Sequence, residues 1–142
     1  MTKEDIQDAL CACGLQGSMD DEGDLVFRHQ GLPFWVRHED ESADFASVCT
    51  QVLYTVGLSA TDGEVRALLM QVNRRMKAAK AVLLQREGGR SGVLLAVEQF
   101  ATAEDFRRLL PRCLETLLLM RQVIYDELRA LEAGHGPADQ PA

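Results

Sequence analysis

The sequence predicts an α+β fold in which an antiparallel sheet of about five strands carries its helices on one face. Two hairpin patterns, at 25–38 and 79–100, require antiparallel neighbours. Three helical stripes, each preceded by a capping residue, lie before, between and after them. The predicted order is α-β-β-β-α-β-β-α, and helices gathered on one side of a sheet are typical of this class.

The composition indicates one globular domain over residues 1–132, followed by a disordered tail at 133–142. The chain has 142 residues, 46% of them hydrophobic and 26% charged, with a net charge of −7. That charge argues against partners such as nucleic acid or an anionic membrane surface. No apolar run approaches the ~20 residues of a membrane span, and the first residues lack a signal-peptide layout. We therefore expect a cytoplasmic protein.

The first helix is predicted over residues 3–13. Thr2 can cap it, with Asp5 completing a weak capping box. A buried stripe follows at helical spacing: Ile6, Ala9, Leu10 and Cys13.

The first hairpin joins "LVFRH" (25–29) to "LPFWVRH" (32–38) through the turn Gln30-Gly31. This register pairs residue 29 with 32, 27 with 34, 26 with 35 and 25 with 36. One face, the predicted core face, then carries Leu25, Phe27, Phe34 and Val36. The opposite face carries Val26, Arg28, Trp35 and Arg37, with Asp24 across from Arg37.

Residues 43–56 fit two patterns. Phe45, Val48 and Val52 belong to a helical stripe, whereas Val48, Val52 and Tyr54 also share one face of a strand. The abundance of Val and Thr favours the strand.

The second helix begins with the capping box of Thr61 and Glu64. A second hairpin follows, in which segments 79–87 and 92–100 are joined through "GGRSG".

The last helix is predicted from its cap at Thr102 to about Glu132, with Pro111 expected to kink or break it. Consecutive apolar residues at 117–120 wrap most of the helix circumference. Such a helix needs a cover on every side, and a symmetric second copy is the simplest cover. The predicted homodimer interface consists of Leu117, Leu118, Met120 and Ile124.

Three segments together resemble the bacterial YbjN-type domain family, within the type III secretion chaperone-like fold. They are "GDLVFRHQGLPFWVR" (23–37), "VNRRMKAAKAVLL" (72–84) and "GVLLAVEQFATAEDFRRLL" (92–110). The resemblance spans most of residues 1–130. It implies a small bacterial protein, typically dimeric, that binds other proteins, as chaperones or regulators do.

No catalytic constellation is visible, so we predict no enzyme, no catalytic residues, no metal site and no cofactor. Cys11 and Cys13 lie two apart and point to different sides of a helix, so they cannot clasp one metal. His29 and His38 bracket one strand, and we expect both at the surface. The acidic turns at 20–24 and 39–42 lack the layout of a calcium loop.

Trp35 is the strongest candidate for function, because an exposed Trp beside arginines is typical of a protein interface. The predicted partner-binding residues are Val26, Arg28, Trp35 and Arg37. The alternative is that helix 1 or the tail covers Trp35. We predict a non-enzymatic, homodimeric protein-binding module, chaperone-like or regulatory. The alternative functions are a small-molecule sensor and a thiol-redox sensor using Cys11, Cys13 or Cys49.

Overall fold

The structure of the protein is a computed structural model, and it describes residues 1–39, 44–55, 61–85 and 90–135. These ranges contain three helices: α1 (Lys3–Ala12), α2 (Asp62–Arg75) and α3 (Ala103–His135). They also contain six strands: β1 (Ser18–Met19), β2 (Leu25–His29), β3 (Leu32–Arg37), β4 (Phe45–Thr55), β5 (Lys80–Gln85) and β6 (Arg90–Phe100).

No helix within the described ranges combines the length and the apolar character needed to cross a bilayer.

The strands form one sheet in the order β1-β2-β3-β4-β6-β5. The predicted α+β class with an antiparallel sheet is confirmed. The sheet has one strand beyond the five expected, since the two residues of β1 pair with β2 through Ser18↔Val26 and Met19↔Leu25. Two residues are too few to produce an alternating pattern in a sequence.

The β2–β3 hairpin has the predicted register. His29 pairs with Leu32, and Val26 pairs with Trp35. Both turn residues have positive φ, 52° at Gln30 and 75° at Gly31, as a type I′ turn requires. This turn fixes the register, and the register fixes which side chains share a face.

The chain divides into two compact units. The first comprises Met1–Thr50 and Ala96–Leu117. In it the capping box of α1 is present, with Thr2 Oγ1 accepting from the Asp5 amide and the Asp5 carboxylate accepting from the Thr2 amide. Its core contains side chains with at most 1% exposure: Ile6, Leu10, Phe34, Val36, Val48, Phe106 and Leu110.

The second unit comprises Gln51–Leu95 and Leu118–Ala142. In it the predicted capping box of Thr61 and Glu64 opens α2. Arg75 Nη2 lies 3.2 Å from Glu127 Oε1 and ties α2 to α3. Its core contains fully buried apolar side chains: Val52, Val65, Val72, Val93, Leu95, Met120 and Ile124.

The ambiguous segment is a strand, as predicted, because β4 runs over Phe45–Thr55. Ala46, Val48, Thr50 and Val52 are all fully buried, which is the period of two that a strand gives. Residues 43 and 56, at the ends of the predicted segment, lie outside the described residues.

Helix α3 is not broken at Pro111. It continues from Ala103 to His135, with Pro111 inside it and exposed. A proline leaves the carbonyl four residues earlier without its helical partner, and on an exposed face water can satisfy that carbonyl. The helix also ends later than predicted, so residues 133–135 of the expected tail are helical. Residues 136–142 are outside the described part of the chain.

Three of the four residues predicted for the homodimer interface cannot serve it. Leu117, Met120 and Ile124 are each 0% exposed within a single chain, so they have no surface left for a second copy. Their spacing of three and four residues places them on one face of α3, which this chain itself covers. Leu118 is half-buried, and the neighbouring Leu119 is 58% exposed.

Candidate protein-binding face

The outer face of the β2–β3 hairpin, in the first unit, is the candidate site. Burial alternates along both strands, so that the core face is closed and the other is partly open to solvent. Val26 and Trp35 are half-buried on this outer face, whereas Arg28 and Arg37 are exposed. All four residues predicted for partner binding therefore share one surface, as the register requires.

Trp35 lies in a row of small or short side chains. Val26 pairs with it on one side and Cys49 on the other, through the antiparallel β3–β4 ladder. Cys49 is on the same outer face yet only 5% exposed, and its neighbour two residues earlier, Ser47, is 8% exposed. Trp35, the cross-strand partner of Cys49, is the largest side chain in this row.

Arg37 is held at the rim of this face by acidic partners. Its Nη2 lies 3.3 Å from Asp24 Oδ2 and 3.9 Å from Glu22 Oε2. The predicted pairing with Asp24 is confirmed. The hydrogen bond to Asp24 and the nearby negative charge raise the pKa of Arg37, so the guanidinium stays charged at every physiological pH.

Arg28 is anchored at the opposite end of the hairpin. Its Nη2 donates to the Gly31 carbonyl, 3.1 Å away, across the turn. This bond holds the guanidinium of an exposed arginine near the aromatic surface, where its remaining N–H groups can contact a bound partner.

Sequence reasoning missed a pair of phenylalanines on the same face. The rings of Phe45 and Phe100 are 5.1 Å apart, and Phe100 is 87% exposed. The strand ends beside them are joined by a 2.7 Å bond from the Ala101 amide to the Asp44 carbonyl. Phe45 alternates in phase with Cys49, which places the pair on the side of Trp35. The sequence could have indicated the exposure of Phe100. On a strand it shares a face with Glu98, a charged residue two positions earlier that is exposed in the structure.

The acidic turn beside Arg37 has a structural explanation. Carboxylate oxygens of Asp20, Glu22 and Asp24 lie within 4.8 Å of one another, a spacing that could hold a cation. However, Asp20 Oδ1 accepts from the amides of Glu22 and Asp24, which shapes the turn. Arg37 supplies the positive charge for the other two. The cluster can thus be explained as an Asx-type turn closed by an ion pair.

The four cysteines are free thiols in different environments. Cys11 is exposed, Cys13 is half-buried, and Cys49 and Cys113 are buried. Burial raises the pKa of the Cys13 thiol and of the Cys113 thiol. A raised pKa leaves less thiolate at neutral pH, so these two thiols are poor nucleophiles.

The prediction of a surface position is wrong for His38. Its side chain is 7% exposed, and its Nδ1 lies 2.9 Å from the Phe45 carbonyl oxygen. The hydrogen bond allows the ring to be buried next to the end of β4. His29 is half-buried, and the centroids of its ring and the ring of Phe34 are 5.9 Å apart.

Comparison with known proteins gives a family and a fold. Residues 2–124 match the YbjN family, described as "Putative bacterial sensory transduction regulator". A solved structure, titled "Crystal structure of YbjN, a putative transcription regulator from E. coli", superposes with a TM-score of 0.64 at 14% identity. The superposition covers 92% of this chain and 94% of that one. No curated protein matches the sequence significantly. Because the family match spans most of its length, this chain belongs to the YbjN family.

Proposed function

We propose that the chain is a non-enzymatic protein-binding module, chaperone-like or regulatory, and that it binds a protein client through the outer face of its sheet. The observation that supports this proposal is the half-buried Trp35 set between two exposed arginines. Aromatic and arginine side chains are the residues that most often supply binding energy at protein interfaces. The family's description as a regulator agrees with a role of this kind.

The face offers both apolar contact and orientation. Trp35 and Phe100 present large ring surfaces, and burying each in a partner removes apolar area from water. Arg28 and Arg37 lie at the rim, each with one guanidinium nitrogen held by the chain, and their other N–H groups can contact carbonyl or carboxylate oxygens of the client. A client segment with apolar side chains and a few acidic ones fits this surface.

The homodimer is part of the proposal, with a changed contact surface. Leu118 and Leu119 retain exposed apolar area on α3, whereas the deeper residues of the same run do not. Light scattering at tens of micromolar tests the assembly: twice the mass of one chain supports the dimer, and a strict monomer contradicts it.

The client-binding test uses a defined aggregating protein. Reduced insulin, whose released B chain aggregates, is mixed with the native chain, and turbidity is followed over time. Suppression by the native chain, lost in Trp35→Ala and in Phe100→Ala, supports the proposal. Met19→Ala is the matched control, since Met19 is 58% exposed and pairs with Leu25, which places it on the face of the sheet opposite Trp35. Unchanged suppression by Trp35→Ala would reject the site.

A regulator that does not suppress aggregation would be recognised by direct capture. Tagged native chain and tagged Trp35→Ala are used to pull partners from the native cell. A partner recovered with the native chain and absent with Trp35→Ala supports the regulatory form of the proposal. Recovery of every partner by both chains would contradict it.

A thiol-redox sensor is the alternative function, and the exposed thiol of Cys11 is the observation in its favour. Reaction of native protein with a thiol reagent at neutral pH distinguishes the two functions. Fast modification of Cys11 would favour the sensor, and slow modification of all four cysteines would favour the binding module.

A further inference from the structure

The second unit contains a cleft between α2 and β5 that the proposed function does not use. The cleft measures about 490 Å³ and is lined by residues of α2 and of the middle of β5. β5 ends the strand order, so in the described sheet one of its edges has no strand beside it. Such an edge offers unpaired amides and carbonyls to an added strand.

Asn73 shows which backbone groups of β5 face the cleft. The side-chain Nδ2 of Asn73 donates to the Ala81 carbonyl at 3.0 Å, and its side-chain Oδ1 accepts from the backbone amide of Ala81 at 2.8 Å. A side chain of α2 thus satisfies both edge groups of Ala81, as a neighbouring strand would. Because the amide and carbonyl of one residue point the same way and alternate along a strand, those of Leu83 also face this edge. Within the described residues of β5, the part of the edge that Asn73 leaves open therefore begins at Leu83.

The wall of the cleft formed by α2 carries an ordered stripe. Arg66, Met70 and Arg74 follow one another at intervals of four residues, and all three are exposed. Met70 is 60% exposed, a large apolar side chain with no cover. The stripe therefore consists of a cation, an apolar side chain and a second cation in one row along α2.

The length of this stripe matches an extended peptide. Eight helical residues between Arg66 and Arg74 rise about 12 Å, and four strand residues span about 13 Å. Acidic residues four apart on a strand share one face and would meet both arginines. The residue midway between them would lie on that face too and would meet Met70.

We propose that this α2–β5 cleft binds an extended protein segment with acidic residues at positions i and i+4 and an apolar residue at i+2. The segment adds to the edge of β5 from Leu83 onward. A second copy of this chain fits less well, because pairing β5 with β5 would bring two pairs of the same arginines together. This site shares no residue with the Trp35 face, so either proposal can fail alone.

The test uses a seven-residue fluorescent peptide in which Glu, Leu and Glu alternate with Thr. Saturable binding in fluorescence anisotropy is expected, and it should weaken with added salt. Two control peptides should bind poorly: one with Gln in place of both Glu, and one with the acids three apart. Two further peptides are N-methylated, one at the Thr amides and one at the Glu and Leu amides. One of these two should bind poorly, because alternate amides of a strand face opposite sides and only one set can bond to β5. Equal binding by either of the first two controls, or by both methylated peptides, would overturn the proposal, as would absence of saturable binding by the original peptide.

Two protein variants locate the binding site. Arg66→Glu combined with Arg74→Glu should weaken binding by about tenfold or more, since two attractive contacts become repulsive. Arg107→Glu combined with Arg112→Glu reverses two exposed arginines of α3 and is the matched control. Unfolding temperatures close to the native value establish that both variants fold. Equal loss in the two double variants would overturn the proposal.

Hydrogen exchange distinguishes binding of the peptide from association with a second copy of this chain. Addition of the peptide should slow exchange at the Leu83 amide and leave the amide of Ala81, already bonded to Asn73, nearly unchanged. Protection of Leu83 without peptide, increasing with protein concentration, would instead assign the edge to a second copy and overturn the proposal.

Discussion

The apolar run of α3 and the tryptophan of β3 differ in how far a single chain buries their side chains. Leu117, Met120 and Ile124 are fully buried within one chain. Trp35, although larger, stays half-buried on the outer face of the sheet. Both were expected to need a partner. Trp35 keeps part of its ring exposed, whereas in the α3 run the exposed apolar area belongs to Leu118 and Leu119.

This difference follows from how each element meets the core. A helix rotates 100° per residue, so part of an apolar run always faces the sheet it packs on, and its remaining residues are distributed around the axis. A strand has only two faces, and Trp35 is fixed opposite the buried Phe34 and Val36. A run of apolar residues is therefore weaker support for an interface than one large ring on the wrong side of a strand.

The largest effect is expected from Ile124→Ala. Removing a fully buried side chain leaves a cavity and should lower the free energy of unfolding by about 2–5 kcal/mol. Urea unfolding followed by circular dichroism measures it. A loss under 1 kcal/mol would mean that this part of α3 is not core, and the contrast with Trp35 would disappear.

Trp35→Ala should lower the free energy of unfolding by less, about 1–2 kcal/mol, because folding removes only part of the ring from water. The variant should also expose Cys49, which is 5% exposed opposite Trp35, and speed its modification by a thiol reagent. Mass spectrometry of peptides identifies the modified cysteine. Phe100→Ala is the control, since an 87% exposed ring contributes little to stability. A loss equal to that of Ile124→Ala would place Trp35 in the core.

The next largest effect is expected from Arg37→Ala, which should lower the free energy of unfolding by about 1 kcal/mol. The substitution leaves the buried carboxylate of Asp24 without its 3.3 Å partner. Arg28→Ala removes an arginine that bonds to a carbonyl across the turn and should lower the free energy of unfolding less. Urea unfolding of the two variants compares them, and equal losses would show that the ion pair contributes nothing beyond a surface arginine.

The smallest effect is expected from Leu119→Ala, within about 0.5 kcal/mol, because the side chain is 58% exposed. Its interest lies in assembly rather than in stability. If α3 forms the homodimer, the variant should shift the mass measured by light scattering toward one chain while unfolding stays unchanged. A destabilisation above 1 kcal/mol would instead assign Leu119 to the core of its own chain.

Much of the fold could be predicted because its signals are local. The type I′ turn at Gln30-Gly31 and the alternation on either side of it specify one hairpin register. The capping boxes at Thr2 and Thr61 mark where two helices begin. The four outer-face residues of the hairpin followed from that register with no further information.

The features that escaped prediction depend on contacts between different elements of the fold. Phe100 meets Phe45 only because two strand ends come together, and Asn73 matters only because Ala81 lies across from it. The buried ring of His38 bonds to the carbonyl of Phe45, seven residues later, and no periodicity encodes that contact.

The sequence by itself determined the class of the fold, the family, the strand character of residues 45–55 and which hairpin side chains share a face. Backbone periods, turn conformations and caps act over a few residues, and these features need nothing more. Only the tertiary structure decided which residues of the α3 run are buried and that Asn73 closes the edge of β5 at Ala81. Coverage is a property of two surfaces in contact, and a one-dimensional pattern specifies only one of them.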